Sequence, residues 1–391
     1  MASPSARSVL GALALLALAP PCPRAGENAG VTAVPILQTP MGARAVGMGA
    51  AFTGVADDVS ALAYNPGGLS NLHSTELTAM SMSGGDDPGS VQYLAAGTPL
   101  AFSGFAGSGY ATLAGSLLLS HNGDIRFNPL NPDGTAGTPS TVKAGGDAVG
   151  TIGYAERLLD TPFETPDSTK HVEHFLGFSG KIISSTLPQT KSAQAYAADL
   201  GYFGRCPELG VTLGASVLNL GSKLRFEENG DPLPLAMRLG GAWSIPMPES
   251  HSLLWAVDGQ YEYYERLWFV NSGLEYTLFK TFAARVGYQA HRDMAGFTFG
   301  FGAKWGHWGI DYAWAEGSDF GNTSRVSLTF RFGEIPVRER EKVRRPVIEN
   351  MPEREELKEM EERQPATYDK PRTPPSRPAP AERKGAPGWI Y

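Results

Sequence analysis

The sequence predicts an all-β fold, a transmembrane antiparallel β-barrel of about 14 strands, and three observations predict it. An export-type leader opens the chain, and a two-residue hydrophobic periodicity runs through its centre. No segment has the roughly 18 consecutive apolar residues that a membrane-crossing helix needs. If the chain enters a membrane, it does so as strands.

Composition supports this class. Of 391 residues, 47 are glycine and 30 proline, aromatics reach 10%, and charged residues fall to 19%, against the ~25% usual for soluble domains. Such a balance fits many strands joined by many turns. The formal net charge of −7 excludes nucleic acid as a partner, since a nucleic-acid binder concentrates Lys and Arg on one face.

In the leader, residues 1–25, Arg7 supplies positive charge and residues 9–19 form an apolar run of signal-peptide length. Cleavage is expected between Ala19 and Ala25; Pro20, directly after Ala17-Leu18-Ala19, leaves the bond open. A lipoprotein signal ending at Cys22 is the alternative, with Pro21 a poor residue before it. Cys206 then remains as a single thiol, so no internal disulfide staples the exported chain.

From 76 to 332 the chain repeats about ten alternating residues and then a Gly, Asn, Asp or Pro cluster. In the run 297–305, Phe297, Phe299, Phe301, Ala303 and Trp305 oppose Thr298, Gly300, Gly302 and Lys304. In the next, Trp308, Ile310, Tyr312 and Trp314 oppose His307, Gly309, Asp311 and Ala313. The last sets Val326, Leu328, Phe330 and Phe332 against Arg325, Ser327, Thr329 and Arg331. Successive side chains of a strand point to opposite faces, so each run has one apolar and one polar face. A soluble sandwich also alternates. Strand lengths near the ~9–11 residues of a tilted membrane strand, and Trp and Tyr near strand ends, favour the barrel.

The fourteen expected strands are 76–82, 91–98, 110–120, 147–158, 171–184, 195–204, 209–219, 236–245, 252–262, 267–277, 280–290, 296–305, 307–315 and 324–332. An even count puts both termini on one side, expected to be periplasmic, and makes 120–147 an extracellular loop. Lumen-facing candidates are Arg285, Lys304, Asp311, Arg325 and Arg331. The remainder, 333–391, is first crowded with alternating charges, including a potential polar helix over 352–363, and then rich in proline. It ends in Trp389-Ile390-Tyr391 and is read as a periplasmic tail.

Residues 26–75 carry a different signal. Gly42-Ala43-Arg44-Ala45-Val46-Gly47-Met48-Gly49 leads into Val55-Ala56-Asp57-Asp58-Val59-Ser60-Ala61-Leu62 and Tyr64-Asn65-Pro66-Gly67-Gly68-Leu69. This segment resembles the N-terminal signature of the PorV/PorQ outer-membrane proteins, relatives of the FadL-type channels. The resemblance continues at 181–187, 197–201, 217–221, 231–235, 285–288 and 325–332, and so spans nearly everything between leader and tail. It implies a FadL-like barrel with the segment folded into its lumen as a hatch, and a closing strand read by the barrel-insertion machinery.

The residues suit that role. Gly42, Gly47 and Gly49 permit backbone conformations and close approaches that a Cβ forbids. Asn65-Pro66-Gly67-Gly68 is a turn signal, in which Asn bonds its own downstream backbone, Pro fixes φ and Gly admits positive φ. Arg44 with Asp57 or Asp58 forms an expected buried ion pair against the lumen wall, which needs further hydrogen bonds to offset desolvation.

Catalytic and cofactor motifs are missing from the sequence. Gly47-Met48-Gly49 lacks the third glycine of a dinucleotide fingerprint, no Gly-x-Ser-x-Gly motif is present, and His171 and His174 fall on opposite faces of a strand. The expectation is a non-enzymatic protein with no cofactor or metal, in contact with outer-membrane lipids. Three functions remain open. By the resemblance it takes part in protein secretion or surface attachment of the type IX kind, with secreted clients or secretion-apparatus subunits as partners. Alternatively it is a FadL-like channel for hydrophobic small molecules, or a structural envelope protein linked through its tail.

Overall fold

A computed structural model describes residues 30–333 apart from 85–88, 101–103, 107–110, 166–167, 189–190, 249, 291–295 and 318–320. The expected leader and tail lie outside the described residues, as does the whole of a second unit, Arg338–Tyr391.

Fourteen antiparallel strands close into a barrel. They are β1 (Thr75–Gly84), β2 (Ser90–Pro99), β3 (Ala111–His121), β4 (Gly146–Glu164), β5 (Thr169–Thr186), β6 (Ser192–Cys206) and β7 (Val211–Gly221). The second half comprises β8 (Ala236–Pro246), β9 (Ser252–Glu262), β10 (Leu267–Leu278), β11 (Phe282–Ala290), β12 (Phe297–Trp305), β13 (Trp308–Ala315) and β14 (Thr323–Phe332). Each pairs with its neighbours in sequence, and β1 closes on β14 from Thr75↔Phe332 to Gly84↔Thr323. Closure leaves no unpaired sheet edge, which is what lets strands exist in hydrocarbon.

The periodicity reads directly onto the two faces. Phe297, Phe299 and Phe301 are exposed on the outer wall while Thr298 between them is fully buried. The same holds in β14, where Val326 and Leu328 face out and Arg325, Ser327 and Thr329 face in. Aromatic side chains gather at both rims. Trp308 and Phe330 meet at 4.6 Å at the rim where β1 begins and β14 ends, here the terminal rim. Tyr261 and Trp268 meet at 4.6 Å, and Tyr288 and Phe297 at 5.0 Å, at the distal rim. Such belts suit the amphipathic ring of Trp and Tyr to a membrane–water boundary.

β4, β5 and β6 run furthest beyond what alternation indicates. Residues 157–164 of β4 pair with β5 alone, because the β3–β4 pairing stops at Ala111↔Glu156. The register slips between Arg157 and Leu159, and this bulge breaks the periodic signal at the point where 147–158 was expected to end. In β7, Leu218 and Asn219 together oppose Asp199, with Asn219 at φ 63°. That second bulge sets Asn219 inward beside Leu218 and turns Leu220 outward, 56% exposed. The loop expected at 120–147 contains a small hairpin, Asp124–Phe127 with Ser140–Lys143, and another pairs Leu224–Arg225 with Gly230–Asp231.

Candidate functional site: the plugged lumen

Residues 30–74 fill the lumen. The segment starts at the distal rim, where Thr32 Oγ1 and Gln38 Nε2 donate to Glu265 at 2.7 and 2.9 Å and Ala33 N donates to Pro232 O at 2.9 Å. It therefore begins at the rim opposite the start of β1, although an even strand count puts both ends of the barrel itself on one rim. A single short helix, Ala43–Gly47, follows, and then 3₁₀ turns at Val59–Ala63 and Pro66–Asn71. Side chains of the wall hold the plug backbone from many directions. Ser327 Oγ accepts from Ala43 N at 2.9 Å, Thr298 Oγ1 from Gly49 N at 3.0 Å, and Asp258 Oδ2 from Phe52 N and Thr53 N at 2.8 and 2.7 Å. Ser216 Oγ donates to Tyr64 O at 2.7 Å, and Glu76 accepts from Val59 N at 3.2 Å. A backbone with little regular structure is stable inside a membrane protein only when its polar groups are met in this way.

Close approach requires a wall without side chains. Inward-facing Gly97, Gly153, Gly177, Gly201, Gly214, Gly273, Gly287 and Gly300 form a belt against which the plug rests. A Cβ at Gly273 would collide with Met48 O, one at Gly214 with Thr53 O, and one at Gly201 with the Asn65 side chain. The plug's own Gly47 stands with its would-be Cβ 3.0 Å from Gly300 Cα. Gly42 and Gly49 have positive φ, 83° and 66°. Gly67 does not: it is needed for space, its Cβ position being 2.7 Å from Gly201 O. The expected turn at 65–68 is thus a helix cap rather than a positive-φ turn. Asn65 Oδ1 accepts from Gly67 N at 3.0 Å with Pro66 in the first helical position. Asn65 Nδ2 donates to Thr53 O at 3.1 Å and to Tyr202 O at 2.9 Å, tying two plug turns to the wall.

Arg44 is the centre of a charge network. Its Nη1 lies 2.5 Å from Asp57 and 3.4 Å from Asp58, and its Nε lies 2.9 Å from Glu275. Glu275 in turn meets Arg285 Nε at 2.6 Å, and Arg285 Nη1 meets Asp311 at 2.6 Å. Burial opposes the charge on Arg44, but Asp57, Glu275 and Asp58 outweigh it and hold the guanidinium well above its ordinary pKa. The expected pairing of Arg44 with Asp57 or Asp58 is present with both, and through Glu275 it continues to the lumen-facing candidates Arg285 and Asp311. The wall partner that joins them, Glu275, carries no motif and is recognisable only as an inward residue of β10.

Of the other lumen candidates, Arg325 is buried and donates to Thr323 Oγ1 at 2.9 Å, and Arg331 pairs with Glu76 at 2.6 Å. Lys304 shares the inward face of β12 but ends that strand beside the Gly306–His307 turn, is exposed, and makes no ion pair among the described residues. A second buried group was missed: Lys181 Nζ meets Asp199 at 2.9 Å and Asn219 Oδ1 at 2.6 Å, and Asn219 Nδ2 donates to Pro234 O at 2.9 Å. The bulge in β7 makes that arrangement, and no spacing rule announces a bulge. His171 and His174 stand apart as expected, His171 3.3 Å from Asp160 and His174 2.7 Å from Tyr202 Oη.

The lumen wall is uneven. Toward the distal rim of β1–β6, Met80, Val91, Tyr93, Leu118, Val149, Ile183, Ala193 and Ala195 cluster with Val34, Ile36 and Met41 of the plug and with Leu224 and Leu233 from a distal loop, whereas farther from that rim the same strands bury Glu76, Glu156, Glu173, Lys181 and Asp199. On the side of β8–β13 the wall is lined by Arg238, Asp258, Gln260, Asn271, Glu275, Arg285 and Gln289, all buried. Two grooves, of about 570 and 420 Å³, lie on the outer apolar wall, one across β14, β1, β2 and β3 and the other across β10–β13.

No family model and no curated protein matches the chain. Solved structures do match in fold. The toluene transporter TbuX of Ralstonia pickettii aligns at TM-score 0.50 and 11% identity, over 75% of this chain and 98% of that one. The toluene transporter TodX of Pseudomonas putida aligns at 0.42 and 12% identity, over 74% and 96%. A FadL homologue of Pseudomonas aeruginosa aligns at 0.39 and 12%, over 73% and 98%. By its closed barrel of fourteen antiparallel strands and its likeness to TbuX, the chain is similar in fold to the FadL-type outer-membrane barrels.

Proposed function

We propose that this chain is a non-enzymatic outer-membrane conduit for apolar small molecules, shut by its plug in the state described. One observation carries this reading: the apolar cluster inside the lumen near the distal rim of β1–β6. Membrane barrels are usually polar inside. Here Met80, Val91, Leu118, Val149 and Ile183 meet Val34, Ile36 and Met41, and an apolar molecule that displaced those plug residues would find the same contacts. TbuX, the similar barrel at TM-score 0.50, is described as a toluene transporter. Short connections at the terminal rim, 207–210, 279–281 and 306–307, against long ones at the distal rim, 122–145 and 222–235, support a periplasmic terminal rim.

The test is uptake. The gene would be expressed in an outer-membrane host lacking hydrocarbon and fatty-acid channels, and entry of labelled toluene and oleate measured. Uptake above the empty-vector level for either compound is expected. Uptake equal to the empty vector, with an altered set of surface proteins on deletion in the native host, would replace this reading by the PorV/PorQ-type role in secretion or attachment.

A further inference from the structure

The β8–β10 wall of the lumen holds more buried hydrogen-bonding groups than the described residues match. Where Phe52, Thr53 and Tyr64 of the plug pass the wall, β8 supplies Arg238, β9 Asp258 and β10 Asn271, at 7%, 0% and 0% exposure. Asp258 gives its Oδ2 to the Phe52 and Thr53 amides, while its Oδ1 has no partner among the described residues. Arg238 donates Nη2 to Gln260 at 2.5 Å and lays its guanidinium 5.0 Å from the Tyr64 ring centre; Nε and Nη1 donate to no described group. Asn271, directly opposite Asp258 on one side and Gln289 on the other, has neither its oxygen nor its nitrogen met by a described residue. Three side chains from adjacent strands thus turn unmatched donors and acceptors toward one seam.

Buried polar atoms without partners are rare in folded proteins, and where they cluster a bound species normally supplies the partners. The chemistry here selects its type. Arg238 and Asp258 balance in charge, so a lone anion or cation has no net attraction. Donors and acceptors are mixed, so the species must both give and accept hydrogen bonds. The space beside Gly240 and Gly54 is narrow. We propose that this seam is a binding site for a small cluster of water molecules held by Arg238, Asp258 and Asn271, and that plug residues 50–57 leave the wall along this wet stretch before 59–72 leave theirs, while Arg44 stays anchored on Glu275. On the opposite side Leu62, Leu69 and Leu72 rest against Gly153 and Gly97, and release there exposes apolar surface to water. On the wet side, water already in place takes over the hydrogen bonds of Phe52 and Thr53 as they leave Asp258. The inference concerns plug motion and is independent of cargo, so a failed uptake assay leaves it standing.

Hydrogen–deuterium exchange of the full chain, purified in detergent, tests it. Peptides covering 50–57 should exchange at least tenfold faster than peptides covering 59–72. In Asn271→Leu, which removes two water contacts, that ratio should fall toward one. Asn271→Ser keeps a hydroxyl at the seam, should preserve most of the ratio, and serves if the leucine variant does not fold, as judged by heat-modifiable electrophoretic migration. Equal or slower exchange of 50–57 in the unmodified chain overturns the inference. So does an atomic-resolution map in which Arg238, Asp258 and Asn271 contact one another with no solvent peak between them.

Discussion

Adding one methyl group to the belt should pry the plug from the wall, and β5 carries its own control. Gly177 faces inward, and a Cβ there would lie 2.6 Å from Gly67 N and closer still to Pro66 O and C. These are backbone atoms of a capped turn, so nothing flexible can give way. Gly180, three residues along the same strand, faces out, and a Cβ there meets nothing within 4 Å. Replacing a strand glycine by alanine gains about 0.5–1 kcal/mol from the unfolded chain, the whole expected effect of Gly180→Ala. Gly177→Ala has the same gain but adds an overpacking cost of about 1–3 kcal/mol. The two variants should differ by about 2 kcal/mol in plug seating, which corresponds to about 30-fold in the population of the displaced plug. Trypsin cleavage after Arg44, whose side chain is 14% exposed in the seated plug, followed by mass spectrometry on the folded barrel, reads that population directly. A ratio near 30 is expected. Equal cleavage rates would show that the plug does not bear on the wall at Gly177, and the belt argument would fall.

Other outcomes follow from the same contacts. Arg44→Ala leaves Glu275 and Asp58 without their shared guanidinium and should loosen the plug by about 3 kcal/mol, seen as faster exchange of the plug amides; Asp57→Ala, at a side chain 43% exposed, should change it by less than about 1 kcal/mol. Asn65→Ala removes a fully buried side chain that makes three hydrogen bonds and should lower the thermal midpoint by an amount equivalent to about 3 kcal/mol, with Asn65→Asp no better, since it sets a carboxylate against the carbonyls of Thr53 and Tyr202. Ile152→Arg, on the outer wall opposite Gly115 and Gly180, should cost about 2–4 kcal/mol of folding stability in lipid vesicles, whereas tolerance there would argue against a bilayer around this strand.

Alternation made all fourteen strands legible, because it is a local property: the side chains at 297, 299 and 301 share a face whatever the rest of the chain does. It failed where the backbone inserts a residue, at Leu158 and at Leu218–Asn219, since a bulge shifts every later side chain by one and leaves no compositional mark. The plug follows from the resemblance of its segment to a hatch, a role that its glycines and Asn-Pro turn suit, and the Arg44 pairing from charge. Only the tertiary structure decided what those groups meet. Arg44 and Glu275 are 231 positions apart, Asn65 and Tyr202 137, and nothing in either local sequence specifies the other. The wall glycines are the clearest case. Singly, Gly177, Gly201 and Gly273 look like the weak points of ordinary strands; closure of the barrel brings them to one level and makes room for a backbone that the strands themselves never encode. Periodicity acts along the chain and is written in it, whereas a lumen exists only after β1 meets β14.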